Sequence, residues 1–147
     1  MLIEGTPLIE GEAEGRLLKL TAPICFWGGL HAATSTIVDP HHPQVGKTLY
    51  DKIVAIPAIV GSSSSSQFLL ELMLFKKTPR AILLGDKDVI IAMAVIVGRE
   101  MGYDSFPIIH CDLEDLPDGE NVKISKTGEI RFGAGIHTIP LQAVRTR

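Results

Sequence analysis

Short and long apolar segments alternate through the middle of this 147-residue chain, and this alternation limits the possible folds more than any other feature. The short runs at residues 53–60 and 81–84 have the length and composition of buried strands. The longer stretches that follow them, residues 64–75 and a segment beginning at Gly85-Asp86, have the length and end signals of helices. With a further strand at residues 106–111, the chain is predicted to be an α/β domain.

The second predicted helix carries recognisable signals at both ends. Asp86 or Asp88 can cap its N-terminus, Arg99 falls in its last turn, and Gly102 can terminate it. Both helices are apolar on most faces, which indicates that each is covered on more than one side. Because a domain of this size struggles to cover two such helices by itself, we predict an interface with another subunit.

Short strands are expected to flank the alternating region. On the N-terminal side they are predicted at residues 8–15, 15–20 and 23–27. On the C-terminal side, apolar and polar residues alternate from 122 to 132 around Thr127-Gly128, which is a hairpin signal. The whole chain, residues 1–147, is therefore interpreted as a single domain, with a C-terminal hairpin and tail at about 120–147.

Charge and composition exclude several functional classes. The formal net charge of −3 argues against a general nucleic-acid binder, since such domains carry a basic excess. The N-terminus lacks a basic stretch followed by an apolar one, so no signal peptide is expected and the protein is predicted to be cytoplasmic. The longest apolar run, residues 89–98, is too short to span a bilayer. Cys25 and Cys111 lie far apart in sequence, so no zinc or iron–sulfur site is expected from this chain alone.

A run of five serines, Ser62 to Ser66, follows Gly61 and leads into the first predicted helix. A loop that feeds a helix N-terminus presents unpaired N–H groups and the positive end of the helix dipole, which favour a carboxylate or phosphate and can stabilise a serine alkoxide. A serine-rich N-cap or linker is the alternative. A linker should separate two domains, whereas this run lies inside one. It is therefore interpreted as an internal loop with the chemistry of an anion site.

Four short motifs occur in order along the chain. They are Pro-Ile-Cys-Phe-Trp-Gly-Gly at 23–29, Asp-Pro-His-His-Pro at 39–43 with Gly46, the glycine and serines at 61–66, and Thr-Pro-Arg-Ala-Ile at 78–82. Together they resemble the aconitase X family, specifically its small subunit or swivel domain. The resemblance extends from about residue 11 to residue 109.

The resemblance implies a swivelling β/β/α domain of the aconitase type, with three layers and a partly closed sheet flanked by helices. Such a domain docks on a large subunit that carries an iron–sulfur cluster, in a heterodimer or higher assembly, and the hydro-lyase active site lies between the two subunits. No cofactor is expected on this chain itself. Family members dehydrate cis-3-hydroxy-L-proline in bacteria or 5-phosphomevalonate in archaea.

We expect the first of these substrates, dehydrated to a pyrroline-2-carboxylate. The chain extends beyond the matched stretch in its C-terminal hairpin and tail, and no arginine or lysine that could hold a phosphate stands beside the serine run. The partner could supply such a group, so the small subunit of a phosphomevalonate dehydratase remains an alternative.

Dehydration of a hydroxy acid needs a base for the proton next to the carboxylate. With the resemblance, the serine run suggests Ser62 as this proton acceptor, and Gly61, Ser63 and Ser64 as the residues that bind the substrate carboxylate or shape the oxyanion site. The family pattern usually has serine where this chain has Cys25, which is nearly isosteric. It often has glycine where this chain has Ser65, and serine would be costly there if φ is positive.

Other candidate residues receive structural interpretations. Adjacent histidines in an extended segment point to opposite sides, so His41 and His42 indicate a tight turn or a contact to the cleft rather than a metal pair. Trp27 is interpreted as a core or interface residue. Gly28 and Gly29 are expected to allow close approach of the backbone to the serine run or the partner.

Two further functional classes remain open. The chain can be an interaction domain that has the fold without the activity. A stand-alone serine hydrolase is disfavoured, because the residues after Gly61 do not form a G-x-S-x-G elbow and no His and Asp partners can be placed.

Overall fold

A computed structural model describes residues 2–133 of the chain, apart from the side chain of Ser62. Ten strands, two helices and one short turn, labelled α1, make up this part. The strands are β1 Leu2–Glu4, β2 Thr6–Ile9, β3 Ala13–Lys19, β4 Leu30–His31, β5 Thr36–Ile37, β6 Ile53–Ile56, β7 Ala81–Leu84, β8 Ile108–His110, β9 Asn121–Ile124 and β10 Glu129–Phe132. The turn α1 is Phe26–Gly29, and the helices are α2 Ser62–Leu74 and α3 Val89–Glu100.

Eight strands form one sheet in the order β1-β10-β9-β3-β6-β7-β8-β2, while β4 and β5 pair separately. The central strands β3, β6, β7 and β8 run parallel, and the outer pairs are antiparallel. Parallel neighbours need a crossover connection, which α2 provides between β6 and β7 and α3 between β7 and β8. The carboxyl ends of the central strands therefore meet at one edge of the sheet, where both helices begin.

The sheet closes on itself through a single residue. β1 and β2 lie at opposite ends of the strand order, yet only Gly5 separates them in the chain. The Gly5 amide donates to the Gly128 carbonyl oxygen over 2.9 Å. Gly128 has a φ of +94°, and a Cβ there would lie 2.6 Å from the Gly5 oxygen. Glycine is therefore required at Gly128 for both its conformation and its contact.

Alternate residues of the central strands face two separate cores. Val54 and Ile82 pack with the helices on one face, whereas Ile53 and Leu83 pack on the other face against the part of the sheet that contains β9 and β10. This period of two explains why every residue of β6 and β7 is buried. The result is a mixed α/β fold with a large sheet flanked by helices, as expected.

Several predicted elements are confirmed. β7 matches its predicted bounds, and β9 and β10 form the hairpin around Thr127-Gly128. Asp88 caps α3, Arg99 lies in its last turn, and Gly102 follows it with a φ of +89°. The predicted tail beyond residue 133 lies outside the described residues.

Three predicted strands have the wrong limits. The segment at 53–60 leaves the sheet after Ile56, because Pro57 has no N–H to continue the ladder. Residues 23–27 contribute only a bridge between Ile24 and Ile59 before the chain turns. Residues 8–15 do not form one strand, because residues 10–12 connect β2 to β3 and these strands pair with different neighbours.

Helix α3 keeps an apolar outer surface in the described structure. Its exposed large side chains are Val89, Ile90, Met93, Ile96 and Val97, with Met101 just beyond its end. A covering subunit on this face stays a prediction. Neither described helix has the length and apolar character needed to cross a membrane.

Candidate active site at the start of helix α2

The serine run forms the start of α2, so the predicted loop is wrong for Ser62 and Ser63, while residues 64–66 are helical, as the predicted helix over residues 64–75 requires. Gly61 occupies the N-cap position with φ 68° and ψ 56°, a left-handed conformation that glycine adopts without steric cost. This conformation turns the chain sharply enough for the helix to begin at Ser62, and the Ser65 amide donates to the Gly61 carbonyl over 2.9 Å. Ser65 lies within the helix and has a negative φ, so serine at this position carries no conformational strain.

The two helices begin with different chemistry. Asp88 caps α3, where its Oδ1 accepts hydrogen bonds from the amides of Ile90 (3.0 Å) and Ile91 (3.2 Å). Gly61 has no side chain, so the cap position of α2 supplies no side-chain acceptor for the first amides of the helix. The first amides of a helix have no partner inside it, and the helix dipole adds positive potential. The start of α2 is therefore suited to an anionic group from outside the helix.

The hydroxyl groups around this helix start are not equivalent. Ser63 is exposed, whereas the Ser64 hydroxyl donates its proton to the Gly61 carbonyl over 3.1 Å. In this arrangement Ser64 offers a substrate only its lone pairs. The side chain of Ser62 lies outside the described part of the structure, so its role as proton acceptor stays a prediction.

The motif turn α1 lies beside the start of α2. A Cβ built at Gly61 would be 3.7 Å from Cys25 Sγ, and the Cys25 thiol donates to the Trp27 carbonyl over 3.1 Å. The Trp27 side chain is 68% exposed, which excludes a core role. Gly28 has a φ of +81° and nothing within 4 Å of a built Cβ, so within this chain it serves the conformation of the turn. A close approach of Gly28 to the partner stays a prediction.

Sequence reasoning treated Cys25 only as a replacement for serine and missed its position beside Gly61. The two residues are far apart in the chain, and the parallel bridge between Ile24 and Ile59 brings them together. The sequence signal for this proximity is that Cys25 and Gly61 each belong to one of the four motifs that carry the resemblance.

The histidine pair forms a turn, as predicted. His42 is buried, its Nε2 lies 3.2 Å from the Ala22 carbonyl oxygen, and its Nδ1 accepts from the Gln44 amide over 3.0 Å. His41 is exposed. Since both ring nitrogens of His42 are engaged within the chain, this residue fixes the turn against the segment that leads to α1.

A cavity of about 390 Å³ opens at the carboxyl ends of the central strands, the same edge from which the chain leads to Gly61. Its lining includes the residues that directly follow the four parallel strands: Leu20, Pro57, Gly85 and Cys111. Burial, with a smaller effect from the nearby Asp112 carboxylate, raises the pKa of the Cys111 thiol to about 11. Cys111 therefore stays a neutral thiol at physiological pH.

The raised pKa of Cys111 predicts a pH dependence of stability. Below pH 9.0, the ordinary thiol value, the folded and unfolded states both carry the proton. Between 9.0 and about 11 the unfolded state loses its proton first, so the free energy of unfolding falls as pH rises. In urea unfolding, wild type should lose stability relative to Cys111→Val across this window, and Cys25→Ser should behave like wild type. Parallel pH profiles for wild type and Cys111→Val would contradict this assignment.

Arg80, from the fourth motif, lies at the opposite edge of the sheet because it directly precedes β7. Its Nε forms an ion pair with Asp51 Oδ1 at 2.8 Å, and a terminal guanidinium nitrogen donates to the Glu14 carbonyl over 3.0 Å. Arg80 thus stabilises the fold far from the helix start. Among residues 2–133, no group of three His, Cys, Asp or Glu side chains is placed to hold a metal ion.

Known proteins are similar to this chain over most of its length. The family model of the aconitase X swivel domain matches residues 2–132. The cis-3-hydroxy-L-proline dehydratase of Hypocrea jecorina is 34% identical over 140 residues, which cover 92% of this chain and 24% of that protein. The phosphomevalonate dehydratase small subunit of Thermococcus gammatolerans is 29% identical over 126 residues, covering 85% of this chain and 92% of the subunit.

A solved structure has the same fold. The crystal structure of aconitase X from Thermococcus kodakaraensis, in its holo-form, superimposes with a TM-score of 0.81 at 25% identity, covering 90% of this chain and 98% of that one. The chain spans about a quarter of the length of the Hypocrea enzyme but nearly all of the archaeal subunit. With its closed sheet and its glycine-capped serine helix, the chain belongs to the aconitase X swivel-domain family.

Proposed function

We propose that this chain is the swivel part of a dehydratase that converts cis-3-hydroxy-L-proline to a pyrroline-2-carboxylate. The observation that carries the proposal is the start of α2, where a glycine cap leaves the first amides to an anion and serines surround them. The substrate's carboxylate supplies such an anion. The relationship to the Hypocrea dehydratase supports the choice of substrate.

In this proposal each residue of the helix start has a defined task. Ser62 accepts the proton from the carbon next to the carboxylate, and its alkoxide is stabilised by the amides that follow Gly61. Ser63 donates a hydrogen bond to the substrate carboxylate, while Ser64 holds the Gly61 carbonyl and shapes the site. Hydroxide leaves from the neighbouring carbon as the electron pair of the broken C–H bond forms the double bond.

The active site is completed by a large subunit or domain that carries an iron–sulfur cluster, which assists the departure of hydroxide when bound. The described residues of this chain offer no ligand set for a cluster. The partner contacts the swivel domain beside the start of α2, where Trp27 and Val60, which follow the bridged residues Ile24 and Ile59, are exposed. We place the assembly, a heterodimer or larger, in the cytoplasm.

One observation favours a second substrate. The archaeal phosphomevalonate dehydratase small subunit is matched over nearly its whole length. In that case the phosphate is held by the partner, since Arg80 is engaged at the opposite edge of the sheet.

A paired assay tests the proposal. The chain is purified anaerobically together with its large partner, and turnover is measured with cis-3-hydroxy-L-proline and, in parallel, with 5-phosphomevalonate. We expect turnover of the proline compound alone. Turnover of phosphomevalonate alone would support the dehydratase activity but contradict the proposed substrate. A complex with an intact cluster that converts neither compound would favour a non-catalytic domain of the same fold.

A further inference from the structure

Ser65 differs from the other serines of the run because it is buried completely. It lies in the first turn of α2, where Ser63 is exposed, but its own side chain faces the interior of the domain. This hydroxyl donates to the Val60 carbonyl oxygen over 3.2 Å and accepts from the Phe26 amide over 3.4 Å. A hydroxyl can do both at once, so one side chain satisfies two backbone groups from different segments.

These two backbone groups would be the next pair in a short parallel ladder. Ile24 donates to the Ala58 carbonyl over 3.1 Å, and Val60 donates to the Ile24 carbonyl over 2.9 Å. In a parallel ladder the following bond would run from the Phe26 amide to the Val60 oxygen. The Ser65 hydroxyl lies between these two atoms instead. The ladder therefore ends in a bridge made by a side chain.

The residues joined by this bridge are direct chain neighbours of the candidate active site. Cys25 precedes Phe26, Gly61 follows Val60, and Cys25 Sγ is 3.7 Å from a Cβ built at Gly61. The two bonds of the bridge set the gap between the motif turn and the cap of α2. They therefore also set the position of the amides that the proposed reaction uses.

We propose that Ser65 is a positioning residue, whose hydroxyl holds the Cys25–Phe26 segment at a fixed distance from the start of α2. This inference rests on the proposed function, because the groups that it positions are those of the proposed site. Ser65 has no contact with substrate in this proposal. Its effect is on alignment, to which reaction rates are sensitive over distances of about 1 Å.

Three variants of the assembled enzyme test the inference. Ser65→Ala removes the hydroxyl and leaves the buried Phe26 amide and the partly buried Val60 carbonyl unpaired. Ser65→Gly removes the whole side chain, which makes room in a polar site for a water that can form the same two bonds. Ser66→Ala is the matched control, because the Ser66 hydroxyl donates only within the helix, to the Ser63 carbonyl over 2.7 Å.

We expect Ser65→Ala to lower kcat by about 10- to 100-fold while KM changes by less than about threefold. Ser65→Gly should recover part of this loss, and Ser66→Ala should match wild type. Deuterium exchange at the Phe26 amide, followed by mass spectrometry of the folded complex, should be at least about tenfold faster in Ser65→Ala than in wild type. This second readout is independent of turnover.

Wild-type kcat in Ser65→Ala would overturn the inference, as would an equal loss in Ser66→Ala or unchanged exchange at Phe26. A Ser65→Gly variant that is as slow as Ser65→Ala would overturn the bridging role of the hydroxyl. If the wild-type complex is inactive, the proposed function fails, and the Phe26 exchange rate alone upholds or overturns the bridge.

Discussion

Replacing Ser62 by alanine is expected to lower the turnover of the assembled dehydratase by about 10³-fold, because it removes the proposed proton acceptor. The chain should fold and bind its partner as wild type does, since α2 begins with the backbone conformation of Gly61 and alanine is a better helix former than serine. Steady-state kinetics and size-exclusion chromatography of the same anaerobic preparation measure both properties.

Ser66→Ala is the control for this experiment, because it removes a serine hydroxyl one helical turn further on, whose hydrogen bond goes to the Ser63 backbone carbonyl and not to a group that the proposed reaction uses. Its turnover should remain within about twofold of wild type. Near-normal turnover in Ser62→Ala, with turnover lost in Ser63→Ala, would move the role of base to Ser63. Normal turnover in both Ser62→Ala and Ser63→Ala would contradict the hypothesis that Ser62 or Ser63 is the base.

The largest effect on stability is expected from Gly128→Ala. The new Cβ would lie 2.6 Å from the Gly5 carbonyl oxygen and 3.0 Å from Pro7 Cδ, in a residue that already needs a φ of +94°. Backbone atoms cannot move aside as a flexible side chain can. The conformational strain and the overpacking together should reduce the free energy of unfolding by about 3 kcal/mol or more.

Gly119 provides a matched control, because it also has a positive φ, +83°, but nothing lies within 4 Å of a built Cβ. Gly119→Ala should therefore show the conformational cost alone, about 1 kcal/mol. The difference between the two variants in urea unfolding isolates the contact that closes the sheet. Equal losses would mean that the closure tolerates a side chain at Gly128.

The sequence predicts a feature well where that feature depends only on residues that are neighbours in the chain. The limits of α3 could be predicted because Asp88, Arg99 and Gly102 act within one helical turn of its ends. The start of α2 could not, since serine is common in both loops and first helical turns. The left-handed conformation of Gly61 decides between them, and the sequence allows that conformation without requiring it.

Features that join distant segments were beyond sequence reasoning for a physical reason. Gly61, Ser63 and Ser64 share one helix start because they are adjacent in the chain. Cys25 and the bridging role of Ser65 depend on the pairing of the segments around Ile24 and Ile59, which no periodicity or spacing encodes. The motifs indicate the family, but they do not show which of their residues are in contact in the fold.

The single-residue link at Gly5 also dictates when folding can finish. Leu2 pairs opposite Arg131, and Thr6 opposite His110, so β1 and β2 find their partners only after these much later residues have been made. Contacts so distant in sequence carry a large loop-closure entropy and slow the final step. Until then the nascent chain has open strand edges that can pair wrongly with other chains. β1 and β2 are thus among the last strands to reach their native positions.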